Sequence, residues 1–378
     1  MKKQASSNSF ARYVIGFGLW MSLCLCPLLV QAQQTLTFNH QGLERSYILY
    51  MPSNLPDNAP LVFVLHGYTS GANIIMNYCG MNAVARRHRF AVCYPEGTRA
   101  VTNETHWNAN LSISSVDDID FLTQLAAHLQ ATHKLSAEHT FSCGMSNGGF
   151  MSYTLACERP DVFKAIASVT GTMSGGDWGS CDPTEVIPVL QISGSADNVV
   201  PIDGSLTTAG DWGGAPGMAA VTEFWVNKNE CMDKENEILA GNFPTRVTRY
   251  VDCIQENEVW EYLISGWGHN WPLSWSGTGF AASETIWEFF SKVIERTTVN
   301  TSDAERLPNR IQLMPNPVQD VLYIQSDDQK PHPYTLSTMN GRLLQTGNAR
   351  QLDLSDLANG LYLLRIGEQV FKVMKTDK

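Results

Sequence analysis

Short apolar runs recur along the first three quarters of the chain, each stopping within a handful of residues. Leu61–Leu65 (LVFVL), Phe90–Tyr94 (FAVCY), Val189–Ile192 (VLQI) and Val259–Ile264 (VWEYLI) lack the strict alternation of a half-buried strand, which predicts strands covered on both faces. Thr140–Cys143 reads as a further strand. Helical periodicity fills the intervals. Ala83–Arg89 is one such segment. A second is expected to be capped by Ser114 or Ser115, with Asp117, Asp118 and Asp120 in its first turn and Phe121, Leu122, Leu125 and Leu129 on one face. Three aspartates so close could ligate a metal, but carboxylates in a first turn complement the helix dipole, and that reading is preferred. A third helix leads from a glycine turn through Ala156, and a fourth covers Glu284–Glu295. The alternation predicts an α/β protein with a mainly parallel sheet and helices on both faces. Ahead of it, Gln34–Pro52 reads as a hairpin turning at Gln41-Gly42.

Periodicity lapses in the polar stretch Thr297–Asn309, which is read as a linker. From Ile311 onward only short β-type runs follow (VLYIQ, YTLST, LYLLRI, VFKVMK), divided by Asn340-Gly341 and Asn359-Gly360, so a small all-β sandwich is expected. At the other end, Lys2, Lys3 and Arg12 accompany an apolar stretch from Val14 to Val30 that closes with small residues at Val30-Gln31-Ala32, the pattern of an export signal. An uncleaved membrane anchor is the rival reading of that stretch. The expected organisation is a signal peptide at 1–32, a catalytic α/β unit at 33–298, a linker at 299–309 and a C-terminal β-sandwich at 310–378. No stable membrane span is expected after signal removal.

Composition narrows the class. Over 378 residues, 43% are hydrophobic and 17% charged, enough apolar material for a packed core. A formal charge of −11 with no basic run argues against nucleic acid as a partner and favours a neutral or weakly polar substrate. Export changes the meaning of the cysteines. Cys24 and Cys26 leave with the signal, and Cys79, Cys93, Cys143, Cys157, Cys181, Cys231 and Cys253 remain, an odd number that allows up to three disulfides. Cys157–Cys181 and Cys231–Cys253 are the favoured pairs because the first brackets a strand and a glycine-rich loop and the second a loop of charged and turn-forming residues, while Cys143, inside a strand, is expected to be a buried small hydrophobe. No C-x-x-C or H-E-x-x-H spacing is present, which argues against a catalytic cysteine or a zinc site. No metal or organic cofactor is expected.

The candidate chemistry centres on Gly144-Met145-Ser146-Asn147-Gly148, a G-x-S-x-G turn between a strand and a helix. A side chain at either glycine would block so sharp a turn, which lifts the serine hydroxyl above the sheet. To act as a nucleophile Ser146 needs a base and an orienting acid. Only His269 and His332 follow it. His332, between two prolines in the β-type segment, is expected at the surface, whereas His269 lies in a glycine loop just past Val259–Ile264. Asp197, in the turn after Val189–Ile192, is the expected acid; Asp203 and Asp211 are farther from a strand end. The oxyanion donors are expected to be the N–H groups of Asn147 and Tyr68, with His66 a buried brace. Trp107 and Trp271 are candidate substrate contacts, as are Trp178, Trp267 and Trp275 more loosely.

HGYTSG, VDDIDFL, GMSNGGFMS, ACERPDVFKAIASVTG, GSADNVVP and GHNWP, in this order over roughly Gln34–Thr298, resemble the secreted polyhydroxybutyrate depolymerase and feruloyl esterase-like α/β-hydrolases. The resemblance implies a triad of Ser146, Asp197 and His269, and a substrate among polyhydroxyalkanoates or feruloyl and acetyl esters of plant xylan. Ser193-Gly194 departs from the His-Gly of many relatives, without touching the triad. MPNP at 314–317, NGLYLLRI at 359–366 and KVMK near the terminus resemble a type IX secretion C-terminal sorting domain, with a sugar-binding β-sandwich as the rival. The expected function is a secreted serine esterase acting on an ester-bearing polysaccharide or oligosaccharide, at the surface or outside of a Gram-negative bacterium and engaging type IX secretion machinery. A polyester depolymerase and a catalytically silent carbohydrate-binding or adhesion protein are the alternatives.

Overall fold

The computed structural model describes residues 34–100, 103–111, 113–205, 212, 214–306, 311–326, 330–339, 341–367 and 369–376, with the backbone alone at 34, 297–306 and 312. The expected signal peptide lies outside the described residues. The strands of the first part are β1 (Gln34–His40), β2 (Leu43–Tyr50), β3 (Ala59–Leu65), β4 (Ala91–Pro95), β5 (Thr98–Arg99), β6 (Thr105–His106), β7 (Leu135–Met145), β8 (Ile166–Val169), β9 (Val189–Gly194), β10 (Asp233–Leu239), β11 (Thr245–Val251) and β12 (Val259–Ile264). The helices are α1 (Ala72–Cys79), α2 (Met81–His88), α3 (Asp118–His133), α4 (Asn147–Glu158), α5 (Gly175–Ser180), α6 (Met218–Lys228) and α7 (Ala282–Arg306).

All but the short β5–β6 pair join one ten-stranded sheet in the order β1-β2-β4-β3-β7-β8-β9-β12-β11-β10. From β4 to β12 neighbouring strands are parallel, and antiparallel hairpins close both edges. Alternate residues of β3 show why its sequence is continuously apolar. Val62 and Val64 enter the core shared with α1, α2 and α7, while Leu61, Phe63 and Leu65 enter the one shared with α3 and α4.

Helix α3 is capped by Asp117, whose Oδ1 accepts from Asp120 N–H at 2.9 Å, in place of the expected Ser114 or Ser115. The other two aspartates also have protein partners. Asp118 is buried and accepts from Arg45 Nη2 at 2.8 Å, and Asp120 meets His40 Nε2 at 2.8 Å. Helix α7 differs more from expectation, since it runs past Glu295 to Arg306 through most of the segment read as a linker. No glycine or proline stands between Ser283 and Leu307, so a polar helix can continue there until Pro308.

The C-terminal strands are β13 (Gln312–Met314), β14 (Val321–Gln325), β15 (His332–Thr338), β16 (Leu343–Ala349), β17 (Gln351–Asp353), β18 (Gly360–Ile366) and β19 (Gln369–Lys375). They form two sheets, β13-β14-β17 and β16-β15-β18-β19, around a core of their own that includes Val318, Leu322, Leu336, Leu364 and Val373. His332 starts β15 and is only 9% exposed, which corrects the expectation of a surface residue: its flanking prolines do not keep it from the sheet. Two disulfides are formed, Cys157–Cys181 and Cys231–Cys253, the favoured pairs, and Cys79, Cys93 and Cys143 are buried thiols. Burial pushes the Cys79 thiol up to about 11. Among the described residues no helix is long and apolar enough to cross a membrane.

Candidate active site

Ser146 follows β7, Asp197 follows β9 and His269 follows β12, so three strands of one parallel array deliver them to the same edge of the sheet. That carboxyl-terminal edge is where open α/β sheets place their ligands. The turn from β7 into α4 passes through Ser146 at φ 53°, ψ −121°, a region a residue with a side chain enters only when its surroundings impose it. They do so by close approach. A Cβ on Gly144 would collide with the backbone of Gly148, and one on Gly148 with Leu65 O, so two glycines are needed for the turn to sit against β3. Ser146 N–H donates to Val169 O at 2.9 Å, which pins the turn to the end of β8. Ser146 is half-buried.

Asp197 and His269 meet. His269 Nδ1 lies 2.8 Å from Asp197 Oδ2, with the imidazole side chain 18% exposed and the carboxylate 1%. The other carboxylate oxygen accepts from Val199 N–H and Val200 N–H, both at 2.9 Å. Their two loops are laced together: Ser195 N–H donates to Ile264 O, Ala196 N–H to Trp267 O and Gly266 N–H to Ser195 Oγ, each at 2.9 Å. A carboxylate so fixed holds the Nδ1 proton and leaves Nε2 of His269 as a basic lone pair.

The loop after β3 runs beside the serine. A Cβ on Gly67 would stand 3.4 Å from Ser146 Cβ and 4.0 Å from Ser146 Oγ, so the Gly67-Tyr68 backbone borders the hydroxyl. Asn147 N–H, at the start of α4, is one of the amides a helix leaves without an intrahelical acceptor. His66 is buried; its Nε2 accepts from Gly97 N–H at 2.9 Å and its Nδ1–H donates to Gly67 O at 2.7 Å. Burial lowers its pKa, so it is a neutral brace for this loop.

Residues 45–253, more than half of the chain, match the family described as esterase PHB depolymerase. The chain belongs to that family. Residues 312–376 of this esterase-family protein match the secretion system C-terminal sorting domain, of the type IX kind, so it is exported to the cell surface or beyond. NocK of Nocardia uniformis subsp. tsuyamanensis, a protein named for esterase activity, is 33% identical over 173 residues, which cover 45% of this chain and 50% of that protein. Feruloyl esterase D of Neurospora crassa is 26% identical over 276 residues, 68% of this chain and 86% of that protein. Among solved structures, an acetyl xylan esterase from Aspergillus awamori overlays with a TM-score of 0.50 at 15% identity, covering 69% of this chain and 99% of that one. That likeness is one of fold: an α/β-hydrolase.

Two expectations for this family member fail. Trp107 is 0% exposed and Trp271 1%, so neither ring can touch a substrate. Both belong to the layer beneath the surface: Trp107 Nε1–H donates to His66 O at 3.0 Å, and Trp271 N–H donates to Tyr78 Oη at 3.0 Å. Of the other tryptophans considered, Trp275 is 78% exposed on the loop beyond His269. Trp212 was not anticipated; its ring meets Tyr68 edge-on at 5.5 Å and Phe150 at 5.3 Å. Its placement depends on contacts with residues distant in sequence, and no spacing signals it.

Proposed function

We propose that the chain hydrolyses carboxylic esters through a covalent acyl-enzyme, with Ser146 as nucleophile, His269 as general base and acid, and Asp197 as the group that orients His269. The observation carrying this reading is the 2.8 Å His269–Asp197 hydrogen bond at the sheet edge where Ser146 sits on its strained turn. Ser146 Oγ attacks the ester carbonyl as its proton passes to His269 Nε2, and the carbonyl oxygen becomes an oxyanion facing the N–H groups of Asn147 and Tyr68. Collapse breaks the bond to the alcohol, which leaves with the proton from His269. Water, deprotonated by the same imidazole, then releases the acid and restores Ser146.

The substrate proposed is a feruloyl or acetyl ester on a plant polysaccharide or oligosaccharide. Support comes from the feruloyl esterase among the relatives and from the export tail, which sends the enzyme to where polymers are met. The family description favours a second reading, an extracellular polyester depolymerase. The export signal at 1–32, the catalytic unit at 33–298 and the sorting unit at 310–378 belong to the same reading, with α7 continuing through most of the 299–309 connection.

Purified protein is to be compared on methyl ferulate, acetylated xylan, polyhydroxybutyrate and p-nitrophenyl acetate. Ser146→Ala is expected to lose at least ~10⁴ of kcat on whichever is turned over and to lose labelling by a fluorophosphonate. Wild-type protein that neither hydrolyses an ester nor takes the label would reject the reading and favour a silent binding protein.

A further inference from the structure

We infer that Trp107 is a positioning residue that fixes the two oxyanion-binding amides relative to each other. The inference rests on the serine-esterase reading above. Trp107 faces both donor segments at once. Its N–H donates to Asn147 Oδ1 at 2.7 Å and its carbonyl accepts from Asn147 Nδ2 at 3.0 Å, so the residue after the nucleophile is clasped through both ends of its amide. Its indole Nε1–H donates to His66 O at 3.0 Å, the carbonyl directly ahead of Gly67-Tyr68, and the two rings lie 5.1 Å apart. Backbone on one side and indole on the other thus join the start of α4 to the loop after β3.

Trp107, Asn147 and His66 are all fully buried, where water does not compete for these bonds. Trp107 is itself held on both sides. His106 Nδ1–H donates to Thr98 O at 3.0 Å, and Asn108 N–H donates to Asp118 Oδ2 at 2.8 Å, the carboxylate whose Oδ1 takes Arg45 Nη2. The acidic segment noted in the sequence therefore reaches the reaction site through Trp107, without touching substrate.

The kinetic signature follows from when the oxyanion exists. Donors must stand about 2.7–3.1 Å from an oxygen that carries charge only in the transition state. Splaying the two amides therefore weakens transition-state binding and leaves ground-state binding nearly intact.

Trp107→Phe keeps most of the ring volume and deletes the bond to His66 O. On p-nitrophenyl acetate its kcat is expected to fall about tenfold or more, with KM within about twofold of wild type. Phenylboronic acid, whose tetrahedral adduct with serine places an oxygen in the same site, should lose affinity in proportion to kcat/KM. Unchanged kcat and boronate affinity would overturn the inference, and so would a fall in kcat with boronate affinity intact. If Trp107→Phe does not fold by circular dichroism, Asn147→Ala, which keeps the main-chain N–H and drops the clasp, carries the same expectations and the same overturning results. Wild type inert to esters and fluorophosphonate rejects the esterase reading; active wild type with an indifferent variant rejects only the role of Trp107.

Discussion

Around Ser146 a Cβ on Gly144, Gly148 or Gly171 would run into backbone, whereas in the C-terminal β unit Gly341 and Gly367 have open space where a Cβ would stand and positive φ instead, 83° and 60°. The same residue type answers a demand for distance in one region and for backbone angle in the other. At the catalytic edge, strands far apart in sequence press against one another, and the turn takes its shape from several of them. In the tail each turn is a local matter between strands that already pair. Changes at the catalytic edge should therefore cost rate or the whole fold, and changes at tail turns should cost little and stay where they are made.

Among changes that leave Ser146 in place, Asp197→Asn should have the largest effect. An amide at this position can still accept from Val199 N–H and Val200 N–H, so the loop should survive, but its NH2 facing Nδ1 selects the wrong tautomer of His269. A loss of ~10⁴ in kcat on p-nitrophenyl acetate is expected, with the thermal midpoint little changed. A loss under about tenfold would mean that rate at this edge does not depend on the His269–Asp197 bond.

Asp118→Asn comes next and is read as stability. The substitution leaves the buried Arg45 guanidinium, whose Cζ lies 3.7 Å from the Phe121 ring centroid, without its counter-charge. Breaking a buried pair from one side costs about 3–5 kcal/mol. Urea denaturation followed by tryptophan fluorescence should show it, and a cost near zero would separate this pair from the scaffold of the site. Gly148→Ala is smaller, about 2–3 kcal/mol, since a methyl group must displace Leu65 O by moving β3 or the turn. Activity should fall with it, because the same movement shifts Ser146. Were Gly148→Ala fully active and as stable as wild type, close approach would not be what shapes the turn.

What the sequence makes legible follows the same division. The turn at Ser146 could be read because its glycines, preceding strand and following helix all lie within one stretch of chain. The meeting of Asp197 and His269 could be anticipated because each ends a recognisable apolar strand and few histidines follow Ser146. Arg45 and Asp118 lie far apart in the chain, and no local pattern reports that they pair in the interior. Trp107 was misread for a related reason: an indole close to a reactive loop has the same sequence signature whether its ring faces substrate or core. Strand β10 (DKENEIL) escaped because it lies at the sheet edge with almost every side chain in solvent, so no apolar alternation marks it. Helix α7 outran its apolar face because nothing in the polar sequence breaks it.

Gly341→Ala is the smallest change and the most direct test of the tail's side of the comparison. Gly341 lies in the connection between β15 and β16; its N–H donates to Thr338 O at 2.9 Å, and Thr338 N–H donates to Arg342 O at 3.0 Å. Alanine there meets no neighbour, so the only cost is that of holding a side chain at positive φ, about 1 kcal/mol. Hydrogen exchange followed by mass spectrometry should show amides of β15 and β16 exchanging about fivefold faster, because 1 kcal/mol changes an opening equilibrium by roughly that factor. Exchange in β3 and β7 should not move, and neither should ester turnover. If the substitution slowed hydrolysis or loosened the central strands, the tail turn would be coupled to the catalytic edge, and the separation between demands of distance and demands of angle would fail at its weakest point.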